Sequence, residues 1–166
     1  GLPSPLLAVQ LLWVNLVTDS LPAISLGVEP ASKDIMNNKP ISPKTGMFAN
    51  GLVFKILFEG LLIGSLALTA FILGYRYDLG GSPDSLTLGR TMAFAVLSLS
   101  QLFHSFNMRS DKSILKIGIF SNIKHVLSFI VCSILLSAVI MLEPLANIFK
   151  VVPLNPRQWI AVIILS

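Results

Sequence analysis

The sequence predicts an all-α, polytopic membrane helix bundle, and three observations carry that prediction. Of the 166 residues, 54% are apolar and only 12% charged, about half the charged share of an ordinary soluble domain. Four stretches, 6–28, 52–74, 91–108 and 126–142, approach the roughly 20 apolar residues that a bilayer crossing requires. Between and after them lie segments punctuated by helix breakers: Pro30, Pro40 and Pro43, then Gly80, Gly81 and Pro83, and finally Pro144, Pro153 and Pro156. So little charge cannot coat a water-soluble globule, and so much apolar surface excludes intrinsic disorder. The net charge of +4 comes from basic residues scattered singly. A nucleic-acid partner is therefore not expected, and a lipid bilayer is.

The first span, 6–28, carries Asn15, Thr18, Asp19 and Pro22 inside its apolar run. The second, 52–74, opens with Lys55 and Glu59, which at i and i+4 can pair or reach the water interface. Its Gly60 and Gly64 form a GxxxG that admits close approach of another helix. The third, 91–108, carries Ser98, Gln101 and Ser105 as one polar stripe with His104 beside it, expected to be a satisfied interfacial imidazole. The fourth, 126–142, is uniformly apolar around the single cysteine, Cys132, which excludes an internal disulfide and reads as a small buried hydrophobe. The fifth, 158–166, is too short to cross and is expected to be incomplete. Residues 1–166 then form one membrane domain, a fragment of a larger parent. No basic region precedes the first span, so a signal peptide is not expected.

Alternate connections must share a side of the membrane. The first and third (29–51 and 109–125) carry seven basic residues, Lys33, Lys39, Lys44, Arg109, Lys112, Lys116 and Lys124, against four in the second and fourth, Arg76, Arg90, Lys150 and Arg157. The positive-inside rule puts the first and third in the cytoplasm.

Polar residues in the first span hold the functional signal. On an ideal helix, Asn15 and Asp19 lie roughly 40° apart and Thr18 roughly 60° to the other side, one oxygen-bearing arc. An aspartate near a helix centre costs about 2.5 to 3.5 kcal/mol on insertion, so it faces a partner, a cavity or an ion. Pro22 has no N–H to give the carbonyl of Thr18, and its ring crowds that carbonyl. Oxygen donors with one carboxylate suit a hard cation, Ca2+ or else Na+ or K+. Gln101 can add an amide oxygen. The alternative is interhelical hydrogen bonding with a proline kink.

The runs QLLWVNLVTDSLPAISLGVEP and DIMNNKPISPKTG closely resemble the sixth membrane helix and following cytoplasmic loop of P-type cation-transporting ATPases, with the calcium-pump branch the best match. RTMAFAVLSLSQLFHSFNMRS resembles their eighth helix, and EPLANIFKVVPLNPRQWIAV the loop into the tenth. The resemblance implies the C-terminal membrane domain of an ATP-driven pump moving Ca2+ out of the cytoplasm, in the plasma membrane for a prokaryotic source. It makes Asn15, Thr18 and Asp19 mid-membrane cation ligands, with Asp19 bridging ion sites, and Gln101 a further candidate. Gln101 stands where two-site pumps of the sarcoplasmic reticulum type carry glutamate, which implies one Ca2+ per cycle, whereas Thr18 resembles the two-site type. No DKTG motif occurs, so ATP and Mg2+ would bind cytoplasmic domains of the parent, and its phosphorylation domain would contact the loop 29–51. A pump for Na+ or K+, and a passive channel or structural bundle, are the competing expectations.

Overall fold

The computed structural model describes residues 3–29, 51–77, 84–108 and 122–166. The loop expected to meet a phosphorylation domain lies outside them, as do Lys33, Lys39, Lys44, Arg109, Lys112 and Lys116 and the breakers from Pro30 to Pro43 and Gly80 to Pro83. Helices account for almost all that is described: α1 (Ala8–Trp13), a π-helical turn (Val14–Thr18), α2 (Ser20–Gly27), α3 (Leu52–Tyr77), α4 (Ser85–Asn107), α5 (Ile123–Met141), α6 (Glu143–Phe149) and α7 (Pro156–Leu165). Four continuous helical stretches are long and apolar enough to cross a membrane, counting Ala8–Gly27 as one. The chain is a multi-pass membrane protein of the expected all-α class.

Caps move the boundaries read from hydropathy. α4 starts at Ser85, six residues before the expected span, because the Asp84 carboxylate accepts the N–H groups of Leu86 (3.1 Å) and Thr87 (3.2 Å). Its bonds to Thr87, first the hydroxyl and then the backbone, hold the Asp84 carboxyl below the usual carboxylate range against the small opposing effect of burial, with Leu86 N–H and Arg90 helping. A lowered folded value stabilises the helix above the ordinary carboxylate pKa, and this contribution is lost as pH falls through the folded value. Asp84→Ala is expected to remove about 1 kcal/mol, with a gap from wild type that closes on acidification, measurable by thermal inactivation at several pH values. α5 likewise starts at Ile123, capped by Asn122, whose side-chain oxygen accepts the His125 N–H at 3.1 Å.

Prolines past the fourth span start helices rather than break them. Pro144 sits in the first turn of α6 and Pro156 opens α7, where a missing N–H costs nothing. Asn155 and Gln158 cap each other reciprocally, at 2.9 and 2.7 Å. α6 ends on Lys150 in the left-handed region, φ 51°.

α4 is the hub: 61% of its most apolar stretch is buried, against 17% for α3 and 33% for α5. The backbones of α3 and α4 approach closely, since a Cβ on Gly74 would lie 2.8 Å from the Gly89 Cα. The GxxxG pair Gly60 and Gly64 meets nothing within 4 Å among the described residues, so it does not make this crossing. Trp13 packs edge-on against Phe149 at 5.2 Å, and buried Gln10 donates to the Phe149 carbonyl at 3.2 Å, joining α1 to α6. The N-terminal end of α4 is held at this same end of the bundle, by Arg90 to the Ser4 carbonyl (3.0 Å) and Val152 N–H to Thr91 Oγ1 (3.0 Å). At the opposite end, Asn122 bonds both the Ser25 carbonyl (3.2 Å) and the Glu29 carboxylate. Successive spans thus run up and down, the alternation that the charge count presupposes.

Candidate functional site

The first span is interrupted by a π-turn, in a form that propensity does not reveal. Asp19 N–H reaches the Val14 carbonyl, five residues back, at 3.0 Å, so one extra residue is threaded into the turn Val14–Thr18. Ala23 then bonds the Asp19 carbonyl at 3.1 Å, while Pro22 cannot serve the carbonyl of Thr18. Thr18 and Asp19 sit near the middle of the 20-residue stretch Ala8–Gly27.

The extra residue rotates the helix and breaks the ideal-helix arc. Thr18 is buried at 3% exposure, whereas Asn15 and Asp19 are exposed among the described residues. Thr18, Asp19 and Pro22 line a cleft of about 360 Å³ with Gln101 and Ser105 of α4; Asn15 does not line it. The Asn15 carbonyl instead accepts the Ser20 hydroxyl at 3.4 Å. Three of the four expected site residues are thereby brought together across two helices, and Asn15 is left on another face.

Gln101 fits a ligand role by its surroundings: its Oε1 is buried without a hydrogen-bond partner among the described residues. An orphaned amide oxygen beside a carboxylate and a buried hydroxyl is an oxygen set that a hard cation would complete. Among the described residues no three His, Cys, Asp or Glu side chains are grouped to hold a metal. A hard cation would need further oxygens from elsewhere in the parent.

Two ionisable groups line the cleft that the linear reading set aside. Glu59 of α3, read as able to pair with Lys55 or reach the interface, has its carboxylate 3.5 Å from Nε2 of His104 on α4, both side chains about one-quarter exposed. Lys55 is exposed. The available signal was the rarity of ionisable residues inside spans; the pairing itself, across 45 positions, had none. Cys132 is buried as expected, its thiol 3.6 Å from the Val17 carbonyl.

The family described as cation transporting ATPase, C-terminus, matches residues 3–166. The whole chain is 44% identical over 178 residues to "Calcium-transporting ATPase 1" of Bacillus cereus (strain ATCC 10987 / NRS 248), covering 20% of that protein. It is 42% identical over 167 residues to "Calcium-transporting ATPase" of Bacillus subtilis (strain 168), again with 100% of this chain and 18% of the relative. A plant protein, "Calcium-transporting ATPase 3, endoplasmic reticulum-type" of Arabidopsis thaliana, is 33% identical over 190 residues, with 100% of this chain and 19% of the relative covered. The chain spans about a fifth of the length of the curated relatives it matches. With its full-length match and its bundle of apolar helices, the chain belongs to the cation-transporting ATPases, through the region that forms their C-terminus.

Proposed function

We propose that this region is part of the transport path of an ATP-driven pump that moves Ca2+ out of the cytoplasm. One observation carries the reading: Thr18 and Asp19, at a mid-helix π-turn followed by a proline, share a cleft with the unpartnered oxygen of Gln101. Ca2+ takes six to eight oxygens. The Thr18 hydroxyl and carbonyl, the Asp19 carboxylate and the Gln101 amide oxygen supply part of that shell, whereas Asn15, on another face, does not. Membrane helices outside this chain supply the remainder. Phosphate transfer from ATP to an aspartate elsewhere in the parent forms a covalent intermediate, and the loop 29–51 passes that event to the membrane helices. The π-turn and Pro22 are where the first span bends, because the regular hydrogen-bond ladder is already broken there.

Phosphorylation of the full-length parent in membrane vesicles tests the reading with Ca2+, Mn2+, Na+ and K+ supplied separately. An acid-stable phosphoenzyme is expected with Ca2+. Its formation with Na+ or K+ instead would replace the ion, and none with any ion would refute the pump. Because Gln101 is neutral, the site carries one carboxylate fewer than a glutamate there would give. The expected stoichiometry is one occluded 45Ca per phosphoenzyme, and a ratio near two would refute it.

A further inference from the structure

At its start α3 turns apolar side chains outward and an acidic one inward. From Val53 to Gly60 every residue is exposed except Glu59, whose side chain is 27% exposed. An ionisable group carried into a span in this way faces the bundle interior or a water-filled cavity. Glu59 borders two such spaces. It lines the cleft of about 360 Å³ together with Asp19 and Gln101, and it lines an adjoining cavity of about 210 Å³ together with Ser100 and Asn107 of α4. Each space is bordered by a buried oxygen without a hydrogen-bond partner among the described residues, Gln101 Oε1 in the first and Ser100 Oγ in the second, with Ser100 itself 4% exposed. Orphaned oxygens on both sides of one carboxyl mark a place that water or a cation completes. The depths agree as well. At 1.5 Å per residue from the helix ends at Gly27, Leu52 and Asn107, which share one end of the bundle, Asp19, Glu59 and Gln101 lie about 12, 10 and 9 Å inward.

We propose that Glu59 is a second carboxylate of the cation site, holding the transported cation from the α3 wall of the cleft while Asp19 holds it from the first span. Charge is the first reason. Asp19 alone leaves a divalent cation with one positive charge that this chain does not compensate, and such a charge is costly in a low-dielectric interior. A second carboxylate neutralises it. The contact that Glu59 makes is the second reason. Among the described residues its one polar contact is Nε2 of His104 at 3.5 Å, with both side chains about one-quarter exposed. A partly exposed pair of this kind is worth less than the cost of bringing a carboxyl into a span. Holding α3 to α4 therefore does not account for the glutamate, all the more because Gly74 and Gly89 already bring those helices together. Asp19, Glu59 and His104 do not form one cage. The cation is thus gripped by Asp19 directly and by Glu59 through water kept in its shell, which Ca2+ shells commonly include.

The inference rests on the transport reading, and separate variants test the two. Ca2+-dependent phosphorylation of the full-length pump is measured for wild type, Glu59→Gln, Glu59→Leu, His104→Gln and Asp19→Asn. Phosphorylation from inorganic phosphate without Ca2+, the reverse of phosphoenzyme hydrolysis, certifies that each variant is folded. In Glu59→Gln, which keeps the volume and removes only the charge, apparent Ca2+ affinity is expected to fall about 10- to 100-fold, the effect of losing a group that supports a metal site. Glu59→Leu takes a costly group out of the bilayer, and the same fall is expected there should Glu59→Gln not accumulate. His104→Gln supplies the readout that a structural tie would not give. It breaks the pair but leaves the carboxyl to the cleft, so its apparent Ca2+ affinity is expected to equal or exceed that of wild type. Equal losses in Glu59→Gln and His104→Gln would make the pair a helix tie and overturn the inference. Wild-type Ca2+ affinity in the folded Glu59 variants would overturn it too, while a lost Ca2+ response in Asp19→Asn leaves the transport reading standing. Wild-type Ca2+ dependence in Asp19→Asn overturns the transport reading itself.

Discussion

Asp19→Asn in the full-length pump is expected to abolish Ca2+-dependent phosphoenzyme formation, with apparent Ca2+ affinity falling by at least about 100-fold. The substitution keeps the volume of the side chain and one of its oxygens, so the change is one of charge. Altering residues that only support a metal ligand costs about 10- to 100-fold, and a carboxylate bonded directly to the ion is worth more. Asp19, between the π-turn and α2, is the carboxylate that the first span brings to the cleft; Glu59 of α3 also lines it but lies against His104. Phosphorylation from inorganic phosphate without Ca2+ should survive, since it needs no occupied cation site. An unchanged Ca2+ response in the variant would remove Asp19 from the site.

The second large effect is structural and falls at the crossing of α3 and α4. Gly89→Val is expected to destabilise the membrane domain by about 1 to 3 kcal/mol or more. A Cβ at Gly89 would lie 2.8 Å from the Phe71 carbonyl oxygen and 3.1 Å from the Tyr75 backbone nitrogen. Those neighbours are backbone of the one long helix α3 and cannot turn aside as a flexible side chain would. Gly74 faces the same contact from the other helix, 2.8 Å from the Gly89 Cα, so Gly74→Ala should act in the same direction. Stacked Phe71 and Tyr75, with ring centroids 5.6 Å apart, would be pushed off α4. Thermal inactivation of the purified full-length pump reads this as a shortened half-life. A half-life equal to wild type would mean that the helices do not cross through these glycines.

Hydropathy located the four long apolar helices to within a few residues at most ends, and missed most at α4, where Asp84 caps a helix that starts six residues early. The miss is instructive, since an N-cap is a hydrogen-bonding event and leaves little trace in a hydropathy average. Pro144 and Pro156 were read as breakers because a proline's effect depends on whether it sits before or inside a helix, and that depends on neighbouring caps. In the candidate site, Thr18, Asp19 and Pro22 stood out because a carboxylate and a proline inside an apolar run are individually costly. Glu59 and His104 did not, because each looks ordinary until the helix opposite is known.

The sequence by itself determined which segments are long and apolar enough to cross a bilayer, that the first of them carries Thr18, Asp19 and Pro22 at its centre, and that its polar chemistry is oxygen-based. Those are properties of local composition and of single residues, and they survive any arrangement of the helices. Which polar groups meet was decided only by the tertiary structure. Helix rotation about its own axis is set by packing, and one residue inserted as a π-turn between Val14 and Thr18 turned Asn15 away from a cleft that Thr18, Asp19 and Gln101 share.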